Sequence, residues 1–185
     1  TSDSVKLGAG SDSLTLANVA NTGSLSNVES VLGGSGADVI TFATGITGGA
    51  IDLAGGSDKL ILGDFTNIAT VSNVETIAGG SAADTITLAT ALTTSSDIDL
   101  GSGSDKLVLG NFANTGTLTS VETLIGGTGA DVITFSDVLS KGVVDLGDGA
   151  DKLTLGDFDN VATLSNIETI TTGSGADTIT IGSQL

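Results

Sequence analysis

The chain has no cysteine, histidine, methionine, tryptophan, tyrosine or proline, and its five cations are all lysine, so arginine is missing as well. Each absence removes a class of chemistry. Without Cys and His there is no thiolate nucleophile, no imidazole base, and no zinc or copper site of the usual kind. No disulfide can staple the fold, a usage compatible with an extracellular bacterial protein. Nowhere do some 18–20 apolar residues run together, so no membrane insertion is expected. The N-terminus, Thr1-Ser2-Asp3-Ser4, has no basic stretch leading into an apolar one and does not read as a signal peptide.

Positive charge is scarce. Five lysines face 22 acids, for a net charge of −17. With no basic patch, nucleic acid is not an expected partner. Hard divalent cations are, because they take carboxylate and carbonyl oxygens. Charge alone has a plainer explanation, a surface kept soluble by its own repulsion. Residue position must decide between the two.

The 185 residues include 28 glycines, and the 39% apolar share comes from Val, Ile, Leu and Ala with only five Phe. Such side chains build a thin core, one or two aliphatic groups per layer, more readily than one thick globular interior. Internal repeats dominate the pattern. Gly-Ser-Asp-Lys-Leu at 56–60 recurs at 103–107, and as Gly-Ala-Asp-Lys-Leu at 149–153, with Gly-Ser-Asp-Ser-Leu at 10–14. Asp12, Asp58, Asp105 and Asp151 are spaced 46, 47 and 46 residues apart. Three further sets keep the same step: Asp38, Asp84, Asp131 and Asp177; Glu29, Glu75, Glu122 and Glu168; and Asn21, Asn67, Asn114 and Asn160. The chain therefore reads as a single array of four repeats, 5–50, 51–97, 98–143 and 144–185.

Each repeat holds two related turns of the form Gly-x-Gly-x-Asp-x-U-x-U, where U is apolar. Six of the eight match the Gly-x-Gly-x-Asp part strictly; Ala54 and Ala82 each replace one glycine. All sixteen U positions, from Leu14 and Leu16 to Ile179 and Ile181, are apolar and alternate mostly with Thr, Lys, Ser or Val. Period-2 alternation of this kind marks short strands with one face in and one face out. Further strands are expected before the turns, at 51–53, 98–100 and 144–146, and near 28–32, 74–78, 121–125 and 167–171. A last set is expected around 24–26, 70–72, 117–119 and 163–165.

Strands this short, punctuated by one repeated turn, predict an all-β parallel solenoid, a β-roll or β-helix whose coils pair with those above and below at about 4.8 Å per layer. About eight coils, alternately 26 and 20 residues long, would make a rod roughly 40 Å long at that spacing. Coils of 46–47 residues are the alternative. Because both turn families share one frame, all eight turns are expected in one column. The repeated asparagines would form a ladder in which each amide bonds the next, and Phe65, Phe112 and Phe158 would stack inside the coils.

The turns carry the chemistry. Glycine permits positive φ, so a Gly-x-Gly-x-Asp loop can turn several carbonyl oxygens inward while its Asp adds a carboxylate. Ca²⁺ takes six to eight oxygens and accepts that mixture. One loop is too poor in oxygen, whereas two stacked loops suffice and would share an ion. The candidate metal ligands are Asp12, Asp38, Asp58, Asp84, Asp105, Asp131, Asp151 and Asp177, with backbone carbonyls near Gly10, Gly36, Gly56, Gly103, Gly129, Gly149 and Gly175. Loops short of a glycine, those ending in Asp58 and Asp84, are expected to bind more weakly. The plainer explanation is a tight turn in which Asp bonds its own backbone.

Residues 33–41 and 126–134 match all nine positions of Gly-Gly-x-Gly-x-Asp-x-U-x, and so the chain resembles the RTX (repeats-in-toxin) calcium-binding repeats. The resemblance implies a Ca²⁺-bound parallel β-roll, secretion, calcium-triggered folding outside the cell, and membership of a large exported or cell-surface protein. The long Ala/Thr/Gly-rich repeats look like those of bacterial surface-layer proteins and giant RTX adhesins. RTX nonapeptides run in tandem, however, whereas these turns are separated by 20–26 residues, which leaves the number of ions open.

Catalysis is not expected. β-Helices acting on acidic polysaccharides need a singular carboxylate pair, usually with a basic residue beside it, and here nearly every acid and Lys59, Lys106 and Lys152 recur with the repeat. A non-catalytic module of a secreted polysaccharide-acting enzyme, or an ice-binding solenoid using Thr-x-Thr pairs such as Thr85/Thr87 and Thr178/Thr180, are the alternatives to a structural segment. No polar cap is evident at either end, so either a longer array or end-to-end self-association is expected.

Overall fold

The computed structural model describes residues 3–183, and among these every regular element is a strand. Each repeat contributes five. The first supplies β1 (Asp3–Lys6), β2 (Ser13–Thr15), β3 (Thr22–Ser26), β4 (Ser30–Leu32) and β5 (Val39–Phe42). The second supplies β6 (Thr47–Asp52), β7 (Lys59–Ile61), β8 (Ile68–Ser72), β9 (Thr76–Gly80) and β10 (Thr85–Leu88). The third supplies β11 (Asp97–Gly101), β12 (Lys106–Val108), β13 (Thr115–Thr119), β14 (Thr123–Gly127) and β15 (Val132–Phe135). The fourth supplies β16 (Ser140–Gly147), β17 (Lys152–Thr154), β18 (Val161–Ser165), β19 (Thr169–Thr171) and β20 (Thr178–Ile181).

Odd-numbered strands form one ten-stranded parallel sheet and even-numbered strands another. The chain steps from one sheet to the other at every turn, so a coil is one strand of each sheet plus two turns. This is the predicted all-β solenoid, and its nine or so turns lie close to the eight expected. The coils are shorter than 26 or 46 residues. Register advances the chain by 20 residues from Asp3 to Gly23, by 17 from Thr22 to Val39, and by 21 from Thr85 to Lys106.

The reason is arithmetic. Five strands make two and a half coils, so each repeat ends on the sheet opposite to the one on which it began. Val5 lies in the odd sheet, Ile51 in the even, Ile98 in the odd and Val144 in the even. Small irregularities absorb the mismatch between coil lengths. β6 and β16 each carry a register shift, at Thr47/Gly49 and Ser140/Gly142. The residue skipped there, Gly48 or Lys141, has positive φ. The second repeat instead places its extra residue in a turn closed by Ser96 N–H to Thr93 O.

Between the sheets runs one apolar core. Leu60, Ile86, Leu107, Leu118, Leu124, Ile133, Val144 and Leu164 have no exposed surface. Each such side chain contributes about 1.5–3 kcal/mol relative to leaving it in water. Phe42 and Phe135 lie in this core, but Phe65, Phe112 and Phe158 do not, being 45, 42 and 43% exposed. The sheets face each other through branched aliphatic residues, which leaves no room for a further ring per coil. Each of the three phenylalanines instead sits on a turn, its N–H bonded to the glycine carbonyl two residues back (Phe65 to Gly63, 2.7 Å). The ring covers that glycine, and any side chain at Gly63 would come within 2.8 Å of it.

Candidate metal centre

Strand parity decides where each Gly-Asp turn falls. Turns leading from an odd to an even strand line a first edge of the solenoid, and turns leading back line a second. Asp12, Asp84, Asp105 and Asp177 lie on the first edge, and Asp38, Asp58, Asp131 and Asp151 on the second. The eight turns therefore occupy two columns rather than the single one expected. Within a column they come in neighbouring pairs one coil apart: Asp38 with Asp58, Asp84 with Asp105, and Asp131 with Asp151. Asp12 and Asp177 each lack such a neighbour.

A side-chain ladder runs up each corner. On the second edge, Asn21 N–H donates to Asp38 Oδ1 (2.8 Å), Asp38 N–H to Asp58 Oδ1 (2.7 Å), and Asp58 N–H to Glu75 Oε2 (2.8 Å). The first edge repeats this from Asn67 through Asp84 and Asp105 to Glu122, and the second edge again from Asn114 to Glu168. The asparagines thus do not bond one another. Each bonds the aspartate of the next coil, and its Nδ2 also caps its own turn, as Asn67 does on Phe65 O. Ile46, Leu92 and Leu139 close the fifth coil and donate their N–H to the next asparagine. Every corner thus runs Asn, Asp, Asp, Glu, aliphatic, and repeats after five coils. The glutamates were absent from the predicted site. Their signal was the spacing, each lying 17 residues after an aspartate, as Glu29 follows Asp12.

The ladder uses only half of each carboxylate. Oδ2 of Asp12, Asp38, Asp58, Asp84, Asp105, Asp131 and Asp151 is buried with no hydrogen-bond partner. A buried carboxylate oxygen without a partner is costly, and the titration behaviour reflects it. Burial pushes Asp58, Asp84, Asp131 and Asp151 above the usual carboxylate range, against the opposing effect of the N–H groups they accept. Asp105 is pushed up to about 6, first by burial and then by the nearby charges of Glu122, Asp84 and Asp99. Asp177 moves the other way, held down chiefly by the Asn160 side chain.

Other oxygens converge on the paired loops. A side chain at Gly56 would lie 2.7 Å from both Asp58 Oδ1 and the Gly36 carbonyl of the coil before. At Gly149 it would lie 2.5 Å from Asp151 Oδ1 and 2.6 Å from Gly129 O, and at Gly103 it would meet Asp105 and the Ala82 carbonyl. A Cβ placed at Gly10 has no carbonyl of another coil near it, and one at Gly175 runs into the Phe158 backbone. Ala54 takes the place of Gly101 and Gly147 and holds their left-handed conformation, φ 66° against 84°.

Among the described residues, no three Asp, Glu, His or Cys side chains come together as a metal-holding group. Any ion at these corners therefore draws on two aspartates of neighbouring coils together with carbonyl oxygens. The donor set is all oxygen and anionic, which suits a hard cation of Ca²⁺ type and excludes the thiolate and imidazole sites of softer metals. The chain matches no family model, no curated protein and no solved structure.

Proposed function

We propose that this chain is a calcium-binding structural segment of a secreted or cell-surface bacterial protein, in which Ca²⁺ links successive coils of the solenoid at its corners. The observation that carries the reading is the set of seven buried, unpartnered Asp Oδ2 atoms, six of which belong to the three places where two Gly-Asp loops stack. A cation shared between them converts an electrostatic liability into ligation. The expected sites are the three complete pairs, Asp38 with Asp58, Asp84 with Asp105, and Asp131 with Asp151, supported by the carbonyls near Gly36, Ala82 and Gly129. Sites of this kind, with two carboxylates and a flexible loop, suit the ~10⁻⁴–10⁻³ M affinities of extracellular modules. A role as surface-layer or adhesin stalk follows the same reasoning, since a thin, uniform rod provides length and stiffness. We assign no catalytic role, because the acids recur in register with the fold they support.

Isothermal titration with Ca²⁺, with circular dichroism in EGTA beside it, tests this reading. Binding of three ions per chain and a higher melting temperature in calcium are expected. An unchanged melting temperature and no heat of binding up to about 10 mM Ca²⁺, well beyond the extracellular range, would sink it.

A further inference from the structure

The charge of this chain is sorted by its strands. All five lysines lie on strands, Lys6, Lys59 and Lys152 in the odd sheet and Lys106 and Lys141 in the even. Five acids share those sheets: Asp3, Asp97 and Asp99 in the odd, Asp52 and Asp145 in the even. Each sheet is therefore neutral by itself. The other 17 acids (22 less five) stand in turns, ten on the first edge and seven on the second, where there is no lysine. The whole net charge of −17 is thus carried by two edges, and the two broad faces between them balance to zero. This sorting runs through every repeat and does not depend on which coil is first or last.

The two faces differ in what they expose. Among the described residues, Leu32, Ile68, Ile125, Val143 and Val161 are large apolar side chains exposed on the outer face of the even sheet, whereas the outer face of the odd sheet exposes Val132 alone. An apolar, neutral face between two anionic margins marks a contact surface. A polycation would be drawn to the edges instead. What fits the face is another that is neutral and apolar, and a second copy of this chain supplies it.

Strand register gives that face a shape. One outward column runs through Ser30, Ala50, Thr70, Thr87, Val108 and Ile125 in six successive coils. Towards the N-terminus its side chains are small, and Ser30 and Ala50 line a hollow of about 340 Å³ beside Leu32 and Asp52. Towards the C-terminus Val108 and Ile125 make a ridge. Hollow and ridge lie at equal distances from the point between Thr70 and Thr87. A two-fold axis through that point, along the strands, turns each ridge onto the other copy's hollow, Ile125 over Ser30 and Val108 over Ala50. It also sets the exposed Leu32, two residues beyond Ser30, against Gly127, two residues beyond Ile125.

We infer that two copies of this chain pack even face to even face, antiparallel, about a two-fold axis between Thr70 and Thr87. A contact of this kind is isologous and closes as a dimer. Overlap of about eight coils, with strands about 16 Å long, covers about 600 Å² per copy, toward the small end of specific interfaces, so the dimer is weak and reversible. The contact uses no metal and stands apart from the calcium reading. It brings anionic edges of the two copies alongside one another, so it tightens as salt screens them.

Sedimentation velocity of the 185-residue chain in EGTA, at low and at high NaCl, reads the contact directly. The Debye length falls from about 30 Å at 0.01 M to about 3 Å at 1 M, and the dimer should tighten several-fold between them. Ile125→Lys places a charge on the ridge. It should weaken the dimer at least tenfold while the thermal melt stays that of the parent chain. Val132→Lys, the same change on the odd face, should leave the dimer intact. Orientation is read by cross-linking, since the chain has no cysteine of its own. Ser30→Cys with Ile125→Cys should give a covalent dimer with a bis-maleimide that spans the roughly 10 Å between packed sheets. Within one chain those thiols are five coils apart, about 24 Å, and beyond its reach. Ser30→Cys alone should not cross-link, because its thiols are equally distant across the antiparallel pair. A monomer at both salt concentrations, up to the limit of solubility, overturns the inference. So does a dimer that salt dissolves, one that Ile125→Lys leaves intact, or one that Val132→Lys disrupts as much. Efficient cross-linking of Ser30→Cys alone overturns the antiparallel register.

Discussion

Two parts of this molecule are equally buried and differ in how they are satisfied. Between the sheets, Leu60, Leu107 and Leu118 lie wholly buried in the apolar core. At the corners, Asp38, Asp84 and Asp131 are as inaccessible as those leucines, yet half of each carboxylate has no protein partner. The interior is stable under any condition that favours apolar burial. The corners hold buried carboxylate oxygens that no protein group partners. On the calcium reading, the sheets hold the chain together while the corners set how its stability responds to the medium.

The largest effect should come from the sheets. Leu107→Ala removes a wholly buried side chain and is expected to cost about 2–5 kcal/mol in urea unfolding, equally with and without calcium. Leu14→Ala, its counterpart in the partly exposed first coil, should cost clearly less. Equal losses would erase the distinction between inner and terminal coils.

Calcium should come next. At a free concentration 100 times the dissociation constant, each occupied site adds about 2.7 kcal/mol. Asp131→Asn keeps the ladder's acceptor and removes the charge. It should abolish that gain at its own site while leaving the chain in EGTA as stable as before, or more so. A variant destabilised equally in both media would mean that the carboxylate acts only through its hydrogen bonds.

Acidity separates the two regions by a different route. In EGTA the raised aspartates bind protons more readily folded than unfolded, so their stabilising contribution is complete below the ordinary carboxylate value of about 4. It falls as pH rises through the folded value, which for Asp105 is about 6. Thermal melts in EGTA should therefore decline from pH 4 toward pH 7. Saturating calcium should flatten or reverse the decline. Asp177, whose shift is downward, contributes in the opposite sense.

Two smaller effects complete the series. Ala54→Gly, which relieves a left-handed alanine, should stabilise by about 1 kcal/mol, read as a shift in the urea midpoint. Phe112→Ser on its exposed turn should stay within about 0.5 kcal/mol. A larger loss there would show that the ring does more than cover Gly110.

Much of this architecture was legible because the alternation is strict. Every strand except β1 (Asp3–Lys6) is placed by the apolar spacing, including the weak set around Ser24–Ser26. Their parallel stacking was legible too, but the length of a coil and the edge on which each turn falls were not, because sequence periodicity reports equivalence and not direction. Asp12 and Asp58 look identical in sequence, and nothing local records that one sits on the first edge and the other on the second. The repeat also disguised the ladder. Asn21, Asp38, Asp58 and Glu75 neighbour one another in space across four coils, yet they belong to different sets in the alignment of repeats. The phenylalanines misled for a composition-level reason. Aromatic residues that recur once per repeat suggest an internal stack, but Phe65 follows Gly63 on a turn, and the space between the sheets is already filled.

The odd number of strands per repeat also governs how such an array can grow or shrink. Excising one repeat would rejoin the chain without a break in pairing, but everything downstream would be rolled over by half a turn, and whatever faced one way would face the other. Excising two restores the original outlook. Any partner that reads one flank of this rod therefore tolerates changes in length only in steps of two, a counting rule written into the backbone rather than into any surface residue.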